Sequence, residues 1–207
     1  MVRIKICGIT RLEDAMAAAT MGADALGFVF AASPRRILPE RAREIIAKLP
    51  PFLQTVGVFV NASAEEVART ASWCGLNVLQ FHGNESVDYC RRFAQKVIKA
   101  QRVRNQGDLS GLSAYTGVTA ALLLDTFVSG MSGGTGTTFD WELARQARQY
   151  GRIIVAGGLT PENVAAAISK AKPYGVDASS GLEKSPGVKD HDKMRQFIKN
   201  VRQTILT

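Results

Sequence analysis

The chain has 207 residues, 46% of them apolar and 21% charged, the make-up of an ordinary globular protein with one sizeable core. It carries 26 basic against 18 acidic residues, a surplus of +8 that suits an anionic small molecule as well as nucleic acid. No apolar run reaches the roughly 18 residues of a membrane span, and the opening MVRIKIC lacks the apolar stretch and cleavage site of a secretory signal, so a cytoplasmic protein without membrane contact is expected.

In chain order, short apolar runs alternate with amphipathic ones. Arg3–Cys7 reads as a strand broken by Gly8, with Thr10 as the first cap of a helix over Leu12–Met21. Ala25–Phe30 is a second strand, and Pro39–Leu49 a helix with proline in its first turn. The strand Thr55–Val60 precedes a helix over Ala64–Cys74, where Ser63 with Glu66 three residues on gives a capping-box pattern. Val78–His82 and Val97–Val103 are strands flanking a helix over Val87–Ala94. NQGDLSGLSAYTG, with three glycines, predicts only a loop or a single turn before the strand Ala120–Asp125. Trp141–Tyr150 follows the cap Asp140 as a helix, and Ile153–Ala156 is a strand. A helix over Pro161–Lys172 starts from Thr160; the strand Gly175–Ala178 and a long helix over His191–Leu206 complete the chain. His191 reads as a solvent-facing cap residue that opens that helix.

Eight strands rich in Val, Ile, Leu and Phe, each followed by a helix, argue a parallel sheet with crossover helices. An open doubly wound sheet is also writable this way, but eight units ending in a helix favour an α/β protein with a closed (β/α)₈ barrel. The expectation is one barrel domain over residues 1–207, its helix after the fifth strand reduced. Three cysteines, an odd number without zinc-site spacing, fit a reducing compartment and predict neither disulfide nor metal. The basic residues are spread over apparent helix faces with no dense block, so they read as solvated surface and no nucleic-acid partner is expected.

In such barrels catalytic groups gather at the C-terminal ends of the strands. The polar or reactive residues there are Cys7, the loop Ser33-Pro34-Arg35-Arg36, Asn61, His82, Arg102, Asp125, the 133–136 glycine loop, Gly157-Gly158, Asp177 and Ser179-Ser180-Gly181. The small-residue loops of AGGLTPENV and VDASSGLE suit a phosphate, because backbone N–H groups and a helix N-terminus attract anions. Tight strand-to-helix turns favour glycine too. Asp125 closes an apolar run, where a raised carboxyl pKa would suit a general acid; a turn or cap residue is the plainer reading. Cys7 is either a nucleophile or base at the barrel mouth or a small buried filler. His82 divides between orienting a ligand and closing the core edge. Arg35 or Arg36 can clamp a carboxylate or phosphate. No catalytic triad or metal cluster assembles, and an acid with a thiol fits proton transfer without a cofactor.

The residues resemble the phosphoribosylanthranilate isomerase family of tryptophan biosynthesis. KICGIT, GADALGFVF, SPRRI, VGVFVN, LQFHG, LLLDT, GGTGTTFDW, AGGLTPENV and GVDASSGLE with SPGVKD carry the likeness, in order from residue 5 to residue 190. The resemblance implies a (β/α)₈ barrel and an Amadori rearrangement of N-(5′-phosphoribosyl)anthranilate. It makes Cys7 the general base and Asp125 the general acid. Arg36 contacts the substrate, with Asp177 and His82 lining the pocket. Gly157, Gly158, Ser179, Ser180 and Gly181 form the phosphate site. The expected partner is a phosphorylated small molecule, the expected assembly a monomer or weak homodimer. The thiol would need a lowered pKa, for which Lys5 and the following helix N-terminus are candidates.

Two alternatives compete. A sibling phosphate-binding barrel of tryptophan or histidine biosynthesis would call for a lysine–glutamate set or for an aspartate at the first strand end, where this chain has Lys99 alone and Cys7. A non-catalytic anion-binding or nucleic-acid-binding module would call for a basic face.

Overall fold

Eight short runs pair in parallel with their sequence neighbours, and the last returns to the first to close a barrel. The computed structural model describes residues 1–125 and 141–204. Its barrel strands are β1 Arg3–Cys7, β2 Ala25–Val29, β3 Gln54–Phe59, β4 Val78–Phe81, β5 Lys96–Arg102, β6 Ala121–Asp125, β7 Ile153–Ala156 and β8 Gly175–Ala178. The helices are α1 Leu12–Met21, α2 Pro39–Ile46, α3 Ala64–Cys74, α4 Val87–Cys90, α5 Trp141–Ala147, α6 Val164–Ala171 and α7 His191–Gln203. The glycine loop at 133–136, the expected cap Asp140 and the last residues of the final helix lie outside the described residues.

The two-residue period of a strand sorts side chains into two sets. Ala25, Val56, Val78, Ile98, Ala100, Ala121, Leu123, Ile154 and Ala156 face inward and fill the barrel. Ile4, Ile6, Phe28, Phe81, Leu122, Leu124 and Val176 face outward and form the larger core under the helices. Small and β-branched groups take the narrow interior; the bulkier ones take the layer with more room. Each fully buried Phe28 or Phe81 side chain contributes ~1.5–3 kcal/mol by leaving water.

The structure corrects several expected boundaries. The helix after β4 is only four residues long, started by Ser86 Oγ accepting from the Tyr89 amide. The packed rings of Phe81, Tyr89 and Phe93 fill the space a longer helix would cover. After β5 the chain runs as a 3₁₀ helix over Gln106–Tyr115, longer than the expected single turn. Asn105 Oδ1 and the Asp108 carboxylate satisfy the amides at its start. Helix α6 begins at Val164 because Thr160 and Asn163 spend their side chains on a capped turn before it. Helices α2 and α5 end at Ile46 and Ala147, short of Leu49 and Tyr150, and α7 ends at Gln203, where Thr204 takes an extended conformation. The sequence reading missed a small hairpin after β8, with β9 at Glu183–Ser185 and β10 at Val188–Lys189.

Much of the basic surface is matched along its own helices. Arg41–Glu44, Arg91–Asp88, Arg145–Glu142 and Arg195–Asp192 are exposed pairs three residues apart. Among the described residues no helix is long and apolar enough to cross a membrane.

Candidate active site

The two ends of the barrel differ in chemistry. At the N-terminal ends of the strands a cavity of about 500 Å³ is rimmed by Arg3, Lys96, Arg152, Asp24, Phe52 and Tyr174. Its floor is apolar, and its one deep cation, Lys5, is already paired. The C-terminal mouth instead collects a thiol, two carboxyl groups, an imidazole and two small-residue turns. Barrel enzymes place their chemistry at that end.

Cys7 ends β1 on the inward face, 9% exposed. Its sulfur leans on Gly27 of β2: a Cβ at Gly27 would stand 2.7 Å from Cys7 Sγ and 3.1 Å from Lys5 Cε. Lys5, two residues back on the same face, points inward, and its Nζ donates to Asp177 Oδ2 of β8 at 2.8 Å. Strand pairing puts Lys5 and Asp177 side by side, so barrel closure itself makes this buried ion pair. Burial acts against the Lys5 ammonium, but the Asp177 and Cys7 charges outweigh it and hold Lys5 protonated. Burial pushes the Cys7 thiol up; Lys5 pulls it down, Asp177 pushes it up and Lys189 pulls it down, leaving it raised. The expected lowering therefore does not hold: the thiol is raised. The helix N-terminus contributes little because Gly8–Arg11 separate Cys7 from α1, whose cap is Arg11; Thr10 donates to the Gly187 carbonyl instead.

Asp125 ends β6 in register with the inward-facing Ala121 and Leu123. His82, just past β4, brings Nε2 to 3.2 Å from Asp125 Oδ2, within ion-pair reach but outside hydrogen-bond alignment. Behind it the buried Gln80 sets its Nε2 3.4 Å from His82 Nδ1. Gln80 Oε1, His82 Nε2, Asp177 Oδ1 and Ser179 Oγ are buried polar atoms with no hydrogen-bond partner among the described residues. Gln80 and Asp177 lie on the inner faces of β4 and β8, and His82 and Ser179 directly follow those strands, a concentration typical of a surface built for a polar ligand.

The two turns expected to hold phosphate touch through their backbones. Gly157 and Gly158 both have left-handed φ, 82° and 64°, which turns the chain sharply after β7. Gly181 lies in the 3₁₀ turn Ser180–Leu182, where a Cβ would strike the Leu159 carbonyl oxygen at 2.1 Å. Only glycine allows that approach, so the turns form one continuous backbone surface. The two arginines of SPRRI separate cleanly. Arg35 grips Glu183 with two prongs, Nε to Oε1 at 2.9 Å and Nη2 to Oε2 at 2.8 Å. Arg36 is exposed, and its side chain makes no ion pair among the described residues; its backbone bridges Val29. Asn61, another strand-end candidate, ties loops together: its φ is 52°, its Oδ1 accepts from the Asn84 amide and its own amide donates to Glu85.

The family model described as N-(5′-phosphoribosyl)anthranilate (PRA) isomerase matches residues 4–200. The chain belongs to the phosphoribosylanthranilate isomerase family. It is 50% identical over 205 residues to the N-(5′-phosphoribosyl)anthranilate isomerase of Pelobacter propionicus, covering 99% of this chain and 97% of that one. The crystal structure of phosphoribosyl anthranilate isomerase from Thermotoga maritima superposes with a TM-score of 0.91 at 48% identity, covering 98% and 99% of the two chains. A second isomerase structure, in complex with reduced 1-(o-carboxyphenylamino)-1-deoxyribulose 5-phosphate, gives 0.88 at 46% identity, again over 98% and 99%. Membership of this isomerase family sets aside the sibling-barrel alternative.

Against the family motifs, the sequence reading left several mouth residues unassigned. Gln80 sits within LQFHG and was passed over for His82; its inward direction follows from the same two-residue period that picks out Val78. Glu183 closes GVDASSGLE and Lys189 lies within SPGVKD, on a hairpin that carries no hydrophobic period. Lys99 points out of the barrel to Glu85 and the carbonyls of Gly83 and Ala100, away from the mouth. His191 is half engaged: its Nε2 lies 2.7 Å from the buried Asp14, and Asp190 is the true cap.

Proposed function

We propose that Cys7 and Asp125 are the base and acid with which this chain isomerises N-(5′-phosphoribosyl)anthranilate to 1-(2-carboxyphenylamino)-1-deoxyribulose 5-phosphate, a step of L-tryptophan biosynthesis. The observation that carries the assignment is the inward convergence of a strand-end thiol on β1 and a strand-end carboxyl on β6, beside the joined turns after β7 and β8. Protonated Asp125 donates to the ribose ring oxygen, the C1′–O bond breaks and a Schiff base forms. The Cys7 thiolate removes the C2′ proton, giving an enolamine. Transfer of the enol proton to C1′ completes the aminoketone. Beyond the C1′–O cleavage that opens the ring only protons change place, and no cofactor is called for.

Gly157, Gly158, Ser179, Ser180 and Gly181 hold the phosphate on the backbone surface that the two turns share. Arg36 meets the anthranilate carboxylate, since Arg35 is committed to Glu183. Asp177 Oδ1 and His82 face the sugar. A phosphorylated small molecule is the partner. The enzyme works in the cytoplasm as one barrel domain over residues 1–207, a monomer or weak homodimer.

A fluorescence assay following loss of the substrate tests the roles. Cys7→Ala and Asp125→Asn should each lower kcat by roughly 10²–10⁴-fold while product still binds. Turnover near wild type in Cys7→Ala would remove the base assignment. Because the thiol is raised, kcat/KM should climb toward alkaline pH as the sulfur ionises.

A further inference from the structure

The hairpin of SPGVKD places charge under the mouth that the reaction above does not use. Lys189 has a side chain with 0% exposure; its Nζ donates to Glu183 Oε1 at 2.9 Å and to the Ser179 carbonyl at 3.3 Å. Arg35 holds the same Glu183 carboxylate from the other side. The stem of Arg35 lies over Gly8, the residue after Cys7: a Cβ there would meet Arg35 Cδ at 2.7 Å and Ser179 Oγ at 3.0 Å. Lys5 and Asp177 make a separate pair next to the sulfur. Behind Lys189, Asp14 accepts from its backbone amide and faces His191.

The charges gathered around the turn beside Cys7 therefore do not cancel. With Asp14 set against His191 as a separate pair, Lys5, Lys189 and Arg35 stand against Asp177 and Glu183, a surplus of one positive charge while Cys7 is a thiol. The cluster is neutral when Cys7 is a thiolate. Buried charge without compensation is costly, so this surplus works against the burial that keeps the Cys7 thiol raised.

We propose that Lys189 is a positioning residue for the isomerisation: it holds the turn after β8 against Glu183 and Arg35, and it supplies the surplus positive charge that an ionised Cys7 sulfur balances. The proposal rests on Cys7 as the base. The groups facing the sulfur are Lys5 from β1, Asp177 from β8, Lys189 from β10 and Arg35 from the loop after β2. Burial lowers the Lys189 ammonium below its ordinary value, and the Glu183 hydrogen bond and charge offset part of that lowering.

The test reads the Cys7 thiolate by ultraviolet absorbance across pH, each protein measured against its own Cys7→Ser counterpart so that Cys74 and Cys90 subtract out. Lys189→Met should move the thiol titration alkaline by about one pH unit, a roughly tenfold loss of thiolate near neutrality. Its kcat/KM should fall by a similar factor at neutral pH and recover at high pH. Lys189→Arg should keep the wild-type profile. Glu183→Gln, which removes the opposing anion, should move the titration the other way. If one of these variants fails to fold, the other decides the direction. A titration unmoved in a folded Lys189→Met or Glu183→Gln, or a loss of turnover equal at every pH, would overturn the proposal. If Lys189→Met moves the titration while Cys7→Ser still turns over, the base assignment fails and the charge coupling stands.

Discussion

Lys99 and Lys189 are both buried, and each faces a glutamate, yet they do different work. Lys99 sits on the outer face of β5, 3.4 Å from Glu85, one cation against one anion. It donates to the carbonyls of Gly83 and Ala100 at 2.7 and 2.8 Å, while Glu85 accepts from the amides of Asn61 and Gly83. That closed, neutral set pins the connection after β4, where α4 is too short to do so. Lys189 shares its glutamate with Arg35 and lies against the turn beside Cys7. Residue type and burial are the same; stoichiometry and neighbours separate a structural staple from a charge available to the mouth.

The largest effect on stability is expected at the neutral pair. Lys99→Met leaves Glu85 buried without its cation and should lower unfolding free energy by ~3–5 kcal/mol in urea, with kcat/KM of the folded protein near wild type. Adding Glu85→Gln should restore more than half of that loss; strictly additive losses would show that the two are not a unit. At the mouth, Arg35→Lys keeps the charge but loses the two-pronged grip on Glu183. A loss of ~1–2 kcal/mol is expected, with the Cys7 titration little changed.

The smallest effect is a matter of pH. Burial works to raise the Glu183 carboxyl, but hydrogen bonds and charge from Arg35 and Lys189 hold it below its ordinary 4.5. A depressed carboxyl stabilises fully above its unfolded pKa and loses that contribution as pH falls through the folded value. Wild type should therefore shed stability below about pH 4.5, and Glu183→Gln should show a shallower acid limb in thermal unfolding. An unchanged limb would mean that Glu183 is not held by its two bases.

The sequence made the barrel legible through periodicity. Runs of Val, Ile and Leu every 25 residues or so mark strands, and Ser63 and Ser86 mark helix starts that the structure keeps. It misjudged lengths where capping chemistry or ring packing replaced helix, as after β4 and before α6. The strand ends named as candidates do lie at one mouth, because strand direction fixes which end Cys7, Asp125 and Asp177 occupy.

By itself, then, the chain determined its eight barrel strands, its family and the list of reactive strand ends, since these depend on local pattern and motif. Tertiary structure alone decided which charges meet. Lys5 and Asp177 are 172 residues apart, and Arg35 and Glu183 are 148 apart. Their contacts exist only once the barrel closes in one register, and that closure turns Arg35 inward to Glu183, leaves Arg36 exposed and sets Lys189 beside the cysteine mouth.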